Sequence, residues 1–186
     1  MRNPFGKIAT ACVLAVAGMT AAYAQAPVPK GSVVVASPTY TSIPMKITVN
    51  RPAAEVWKRI GKYCDVSEWL QIPAGCKITS GTAGEFGAVR TVGAEVLVGR
   101  TELSYTYAQT PKEGIPFNFY HGTLEARPVT PTTSEIVYTL FFDNSMLPDD
   151  AARAADKERR RARFMQALQN MKTLVEGGKL PPAPAQ

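Results

Sequence analysis

The sequence predicts an α+β domain in which one curved antiparallel sheet is closed by a single long helix. Between Cys76 and Asp143, short β-type runs follow one another with turn residues, and no helical pattern, between them. From about Pro148 to Glu176, apolar residues return at steps of three and four. A stretch with helical spacing, Ala53 to Leu70, separates a first extended segment from these strands. Strands so close in sequence pair antiparallel. A sheet with one apolar face must then cover it with the helix that remains.

The first strand is expected within Ser32 to Val49, where Val33, Val35, Ile43, Ile47 and Val49 are the apolar positions and Pro38 and Pro44 mark breaks. Pro52 suits the first turn of a helix, and Ala53 to Tyr63 continues it with Val56, Trp57 and Ile60 as its stripe. A second short helical piece, Val66 to Leu70, is ended by Pro73 and Gly75. Then come Cys76 to Thr79, Ala88 to Val92, Glu95 to Arg100, Leu103 to Gln109, Phe119 to Arg127 and Ser134 to Asp143, parted by Gly81 to Gly87, Gly93, Pro111 to Pro116 and Pro128 to Pro131. In the last helix, Asp149 and Asp150 place negative charge on the free N–H groups of the first turn. Its stripe is Ala154, Lys157, Arg161, Phe164, Leu168, Met171 and Val175, apolar only in the second half, and Gly177-Gly178 stops it. A strongly curved sheet cannot be packed solid by one helix, so the gap between them is a natural pocket.

The chain ends read as appendages. Arg2 and Lys7, the small and apolar run Ile8 to Ala22, and Ala22-Tyr23-Ala24 form the pattern of a cleavable signal peptide, cut after Ala24, which implies a periplasmic or secreted protein. A membrane anchor is the rival reading; the run is short for a span and interrupted by Gly18, and no other segment reaches spanning length. Residues 25–31 form a flexible lead, 32–178 one domain and 179–186 a Pro/Ala-rich tail. Loss of Arg2 and Lys7 lowers the formal charge from +6 to +4, with the excess near Lys157 and Arg159 to Arg163. That cluster is either a solvated helix face or a contact for anionic partners such as a membrane surface. Nothing in the chain resembles a nucleic-acid motif. The two remaining cysteines, Cys64 and Cys76, are an even pair suited to a disulfide in an oxidising compartment.

Particular residues add to this order of elements. Ala53-Ala54-Glu55-Val56-Trp57 after a proline, Trp69, Gly87-Ala88-Val89-Arg90, Glu95-Val96-Leu97, Tyr105-Thr106-Tyr107, Tyr120-His121-Gly122-Thr123-Leu124 and the terminal helix occur in sequence. From Thr41 to Gly178 the chain thus resembles the SRPBCC (START-like, Bet v 1-like) superfamily, and within it the polyketide cyclase/dehydrase and lipid-transport group. The resemblance implies a helix-grip fold, in which about seven strands curve around the C-terminal helix and an internal cavity, with two short helices after the first strand. Members bind lipids, sterols, hormones or polyketides, and a minority are enzymes. An exported, disulfide-bonded member departs from the common cytosolic form.

Alternation then picks candidate residues. Arg90 shares a face with Val92, and Glu95 with Leu97 and Gly99; the resemblance turns both sets inward. Arg90 and Glu95 would then be an ion pair, either structural or the reader of a polar ligand head. Tyr105 with Tyr107, Tyr120 with Gly122 and Leu124, and Ile136 with Tyr138, Leu140 and Phe142 each share a face. Rings with hydroxyl tips suit an amphipathic ligand, with Gly122 leaving room and Phe164, Leu168 and Met171 facing them from the helix. His121 falls on the opposite face to Tyr120, which argues against a role as general base. Two thiolates and a lone distant histidine make no zinc set, and no motif calls for a cofactor. The reading is a binder of a small hydrophobic or amphipathic molecule. Its rivals are an acid–base enzyme, of cyclase or dehydratase type with Glu95 as base, and an interaction protein with a filled core.

Overall fold

A computed structural model describes residues 35, 37–110, 112 and 114–182. The expected signal segment, the lead 25–31 and the end of the tail lie outside the described residues. Alternating sequences become seven strands: β1 (Tyr40–Val49), β2 (Ile78–Ser80), β3 (Val89–Arg90), β4 (Glu95–Thr101), β5 (Ser104–Gln109), β6 (Asn118–Pro128) and β7 (Ser134–Asp143). Helices α1 (Ala53–Ile60) and α2 (Val66–Trp69) follow β1, and α3 (Asp150–Val175) ends the domain. The strands form one antiparallel sheet in the order β1-β7-β6-β5-β4-β3-β2. The first and last strands are therefore neighbours, and the sheet carries α3 across one face. Ile43, Leu124, Ile136, Leu140, Leu168 and Met171 fill the core between them.

Several boundaries differ from expectation for local reasons. Pro38 precedes β1, as expected of a break, but Pro44 lies inside the strand, opposite Thr139. β1 is an edge strand, and the Pro44 carbonyl points away from β7 to accept from Arg161 Nη1 at 3.3 Å; on that outward side a missing N–H costs no ladder bond. α1 stops at Ile60 rather than Tyr63. The Trp57 ring lies over Gly61, where any Cβ would come within 2.5 Å of it, and Tyr63 leaves the helix so that its hydroxyl can donate to the Glu95 carbonyl at 3.0 Å. Cys64 and Cys76 form a disulfide, Cα–Cα 5.3 Å, tying the turn before α2 to the approach to β2.

The register of β4 shifts between Leu97 and Gly99. Leu97 opposes Tyr107 but Arg100, not Gly99, opposes Tyr105, so Gly99 does not share the inward face of Glu95 and Leu97; the irregularity reverses the alternation. In α3, Asp149 caps the N-terminus by accepting from the Ala152 N–H at 2.7 Å. The second half of the expected stripe, Phe164, Leu168, Met171 and Val175, is buried, while Ala154 is exposed and Lys157 and Arg161 are half-buried. The inward line in the first half is instead Asp156, which is buried, and Arg160, one turn apart from each other and from Phe164. Beyond the helix Leu180 packs against the core, and the Pro181 carbonyl accepts from Gln71 Nε2 at 2.6 Å; the start of the tail is docked. Among the described residues no helix is long and apolar enough to cross a membrane.

Candidate functional site

Sheet and helices enclose two hollows. One, of about 470 Å³, lies between the sheet and the N-terminal half of α3. The other, of about 650 Å³, opens between α1, the turn around Lys62, and the β4–β5 hairpin. In the wall of the first the sheet carries Arg90 and Glu95, which stand opposite each other on β3 and β4.

Arg90 is wholly buried and Glu95 nearly so. Arg90 Nε donates to Glu95 Oε2 at 2.7 Å and Nη2 lies 2.6 Å from the same oxygen, while Nη1 donates to the Tyr63 carbonyl. The guanidinium also sits 4.3 Å from the Tyr63 ring centre and 4.8 Å from that of Tyr107, which adds cation–π attraction in a dry setting. Burial pushes the Glu95 carboxyl above the usual range, and the charge and hydrogen bond of Arg90 pull it only part of the way back.

The expected tyrosines divide between the hollows. Tyr107, Tyr120 and Tyr138 line the one under α3, with Arg90, Glu95, Val92 and Phe164; Tyr105 and Leu97 line the other. Tyr107 and Tyr138 share a hydroxyl–hydroxyl hydrogen bond of 2.9 Å, and burial raises both phenols well above their ordinary value. Tyr120 is pushed up to about 12, by burial against the lowering influence of Arg160. All of these rings therefore present neutral hydroxyls near neutral pH. Gly122 does not leave an open space: a Cβ there would sit 2.4 Å from the Tyr107 ring, which already occupies it. Phe142, Leu168 and Met171 are core residues that line neither hollow. His121 lies half-exposed on the outer side, its Nδ1 2.7 Å from the Phe119 carbonyl oxygen.

Apolar periodicity missed the charged side of the hollow. Arg159, Arg160 and Arg163 line it from α3, and Phe117 and Gln109 from the sheet side. Asp156 holds two of these arginines: Arg160 Nε donates to Oδ2 at 2.8 Å, and Arg159 donates to Oδ1. Arg160 is thereby laid over Phe117 at 4.5 Å and Phe142 at 4.7 Å from the ring centres. The signal in the sequence was the four-residue step Asp156, Arg160, Phe164, Leu168, which carries charge where a core stripe carries apolar residues. At the other hollow, Arg100 donates to the Gly84 carbonyl and to Glu85 Oε1, the latter at 2.8 Å, and so latches the glycine-rich loop 81–87 to β4. Among the described residues no group of three or more His, Cys, Asp or Glu is placed to hold a metal ion.

A seven-stranded sheet gripping a long C-terminal helix over an internal hollow defines a helix-grip protein of the SRPBCC superfamily. The chain belongs to the polyketide cyclase / dehydrase and lipid transport family, whose model matches residues 40–176. None of the curated proteins matches it. Among solved structures it is similar to a protein from Thermobifida fusca, at 23% identity and TM-score 0.58, covering 75% of this chain and 97% of that one. It is also similar to the Zhui aromatase/cyclase from Streptomyces sp. R1128, at 15% identity and TM-score 0.56, covering 76% and 100%. A truncated norcoclaurine synthase from Thalictrum flavum is 12% identical with TM-score 0.55, covering 78% and 99%. At these identities the likeness is one of fold.

Proposed function

We propose that the protein is an exported binder of a small hydrophobic or amphipathic molecule, held between the sheet and α3. The observation that carries this reading is the hollow of about 470 Å³ under α3, walled by Tyr107, Tyr120, Tyr138, Phe117 and Phe164 and edged by charged groups. That volume lies in the range of small-molecule sites and far above what one water needs, which speaks against a filled core. Export is supported by the signal-like N-terminus and by a disulfide that an oxidising compartment would maintain. The exposed basic side of α3 would let such a carrier approach an anionic membrane surface.

An acid–base enzyme on the same site is the second reading, favoured by the raised pKa of Glu95. Against it, Glu95 Oε2 is already committed to Arg90.

The test is native mass spectrometry of protein purified without detergent from the exported fraction, followed by solvent extraction. Two cavity-filling variants go with it: Val92→Trp for the hollow under α3 and Ser104→Trp for the other. A discrete small-molecule adduct, lost in Val92→Trp and kept in Ser104→Trp, is expected. No adduct, and no uptake from a lipid extract, would sink the binding role; loss only in Ser104→Trp would move the site. Chemical change in an extracted molecule on re-incubation, abolished by Glu95→Gln, would favour the enzyme.

A further inference from the structure

The charges around the hollow under α3 do not balance. Arg90 is matched by Glu95, whereas Arg159 and Arg160 share the single carboxylate of Asp156. Arg163, exposed at the rim of the same hollow, makes no ion pair or hydrogen bond among the described residues. Four guanidinium groups are thus met by two carboxylates. The excess lies on one side, the α3 side, where Arg160 faces rings while Arg159 and Arg163 stand exposed at the rim.

Those rings are arranged for a flat or compact apolar body. Phe117 and Tyr120 have centroids 5.1 Å apart, and Phe142 stacks on Tyr120 at 5.7 Å. Asp156 fixes Arg160 over them, so an anion arriving beside it at Arg163 has one neighbouring guanidinium whose ordering cost has already been met in folding. Gln109 lines the hollow too, and its buried Oε1 has no hydrogen-bond partner among the described residues. A buried acceptor left unpaired is costly, and a ligand hydroxyl would satisfy it. The volume is at the small end of the ligand-site range and suits a compact ring system better than a long acyl chain.

We infer that the ligand is a compact aromatic carboxylate whose anionic head is held by Arg163 at the α3 rim, next to Arg159 and Arg160, with its body on Phe117 and Tyr120. The guanidinium fork matches a carboxylate in geometry as well as charge. This rests on the reading of the hollow under α3 as the binding site.

The experiment titrates the purified protein with naphthoate and with naphthamide, its neutral isostere of nearly equal size, by calorimetry. Wild-type protein is expected to prefer naphthoate by roughly tenfold or more, as a charge-assisted hydrogen bond in a partly dry site provides, and the preference should fall as salt is added. In Arg163→Gln the ratio between the probes should collapse towards unity. In Arg161→Gln, whose side chain reaches Glu158 and Pro44 on the other side of α3, the ratio should persist. Equal binding of both probes by wild type would overturn this inference while leaving the pocket reading standing. Binding of neither would overturn both, and a preference that survives Arg163→Gln would overturn the assignment to Arg163.

Discussion

A guanidinium without solvent contact has to be answered entirely by its neighbours, and Arg90 is answered by Glu95, the Tyr63 carbonyl and two ring faces. Such a pair adds little net stability compared with apolar residues of the same shape, but breaking it leaves an unpaired buried charge. Arg90→Met should therefore destabilise the domain by about 3–5 kcal/mol near neutral pH. The double change Arg90→Met with Glu95→Leu should recover most of that loss, as urea unfolding would show. The pH dependence has a definite sign. Glu95 titrates above its ordinary range in the folded protein because burial disfavours its charge, so the folded state holds this proton more readily than the unfolded chain. Its contribution to stability is present below the unfolded pKa and is lost as pH rises through the folded one. Without Arg90 its charge and hydrogen bond no longer lower the Glu95 pKa, only the weaker pull of Arg163 remains, and the pKa rises further. The deficit of Arg90→Met should then shrink when unfolding is repeated at about pH 5. A deficit that stays constant would show that the unpaired carboxylate is not what costs stability.

Across pairs of strands, what faces what decides how much the elements tolerate. Gly122 opposes Tyr107, and the ring crosses over it to reach the Tyr138 hydroxyl. Gly122→Ala should force the ring aside, break that hydrogen bond and cost about 1–3 kcal/mol, an overpacking cost; a thermal melt unchanged by the substitution would refute this account. Elements of this kind were legible in the sequence because strand alternation and turn chemistry are local: each expected strand and helix is present, within a few residues except at the start of β1. What was illegible depended on tertiary partners. The irregularity that puts Arg100 rather than Gly99 opposite Tyr105 is a matter of register with β5, and nothing in the β4 sequence announces it. The first half of α3 was misread because its inward residues, Asp156 and Arg160, satisfy each other by charge and leave no apolar trace. Tyr107, Tyr120 and Tyr138 were found as inward rings, yet the charged wall opposite them was not.

Over the whole molecule, stability is unevenly spread. β6 and β7 are 11 and 10 residues long and carry the core, whereas β2 and β3 have 3 and 2 residues and form the far end of the sheet. That end depends on a few ties: the Cys64–Cys76 disulfide, the Thr91 N–H donating to the Lys77 carbonyl at 2.9 Å, and the Arg100 latch on the 81–87 loop. The disulfide closes a short loop, for which chain entropy alone assigns about 3 kcal/mol; reduction should accordingly lower the melting temperature by roughly 6–12 °C. If the bridge acted only by restricting the unfolded chain, hydrogen exchange in the reduced protein would quicken by one common factor wherever exchange requires global unfolding. The native geometry argues for an added local effect. Cys64 adjoins Tyr63, whose carbonyl anchors Arg90, so losing the bridge loosens both the β2–β3 edge and the pin beneath the two hollows. Amides of β2, β3 and the 81–87 loop should then exchange faster than the global change accounts for, while those of β6 and β7 should follow it. Uniform acceleration would assign the bridge to the unfolded state alone, and would leave the latch of Arg100 as the main restraint on that end of the sheet.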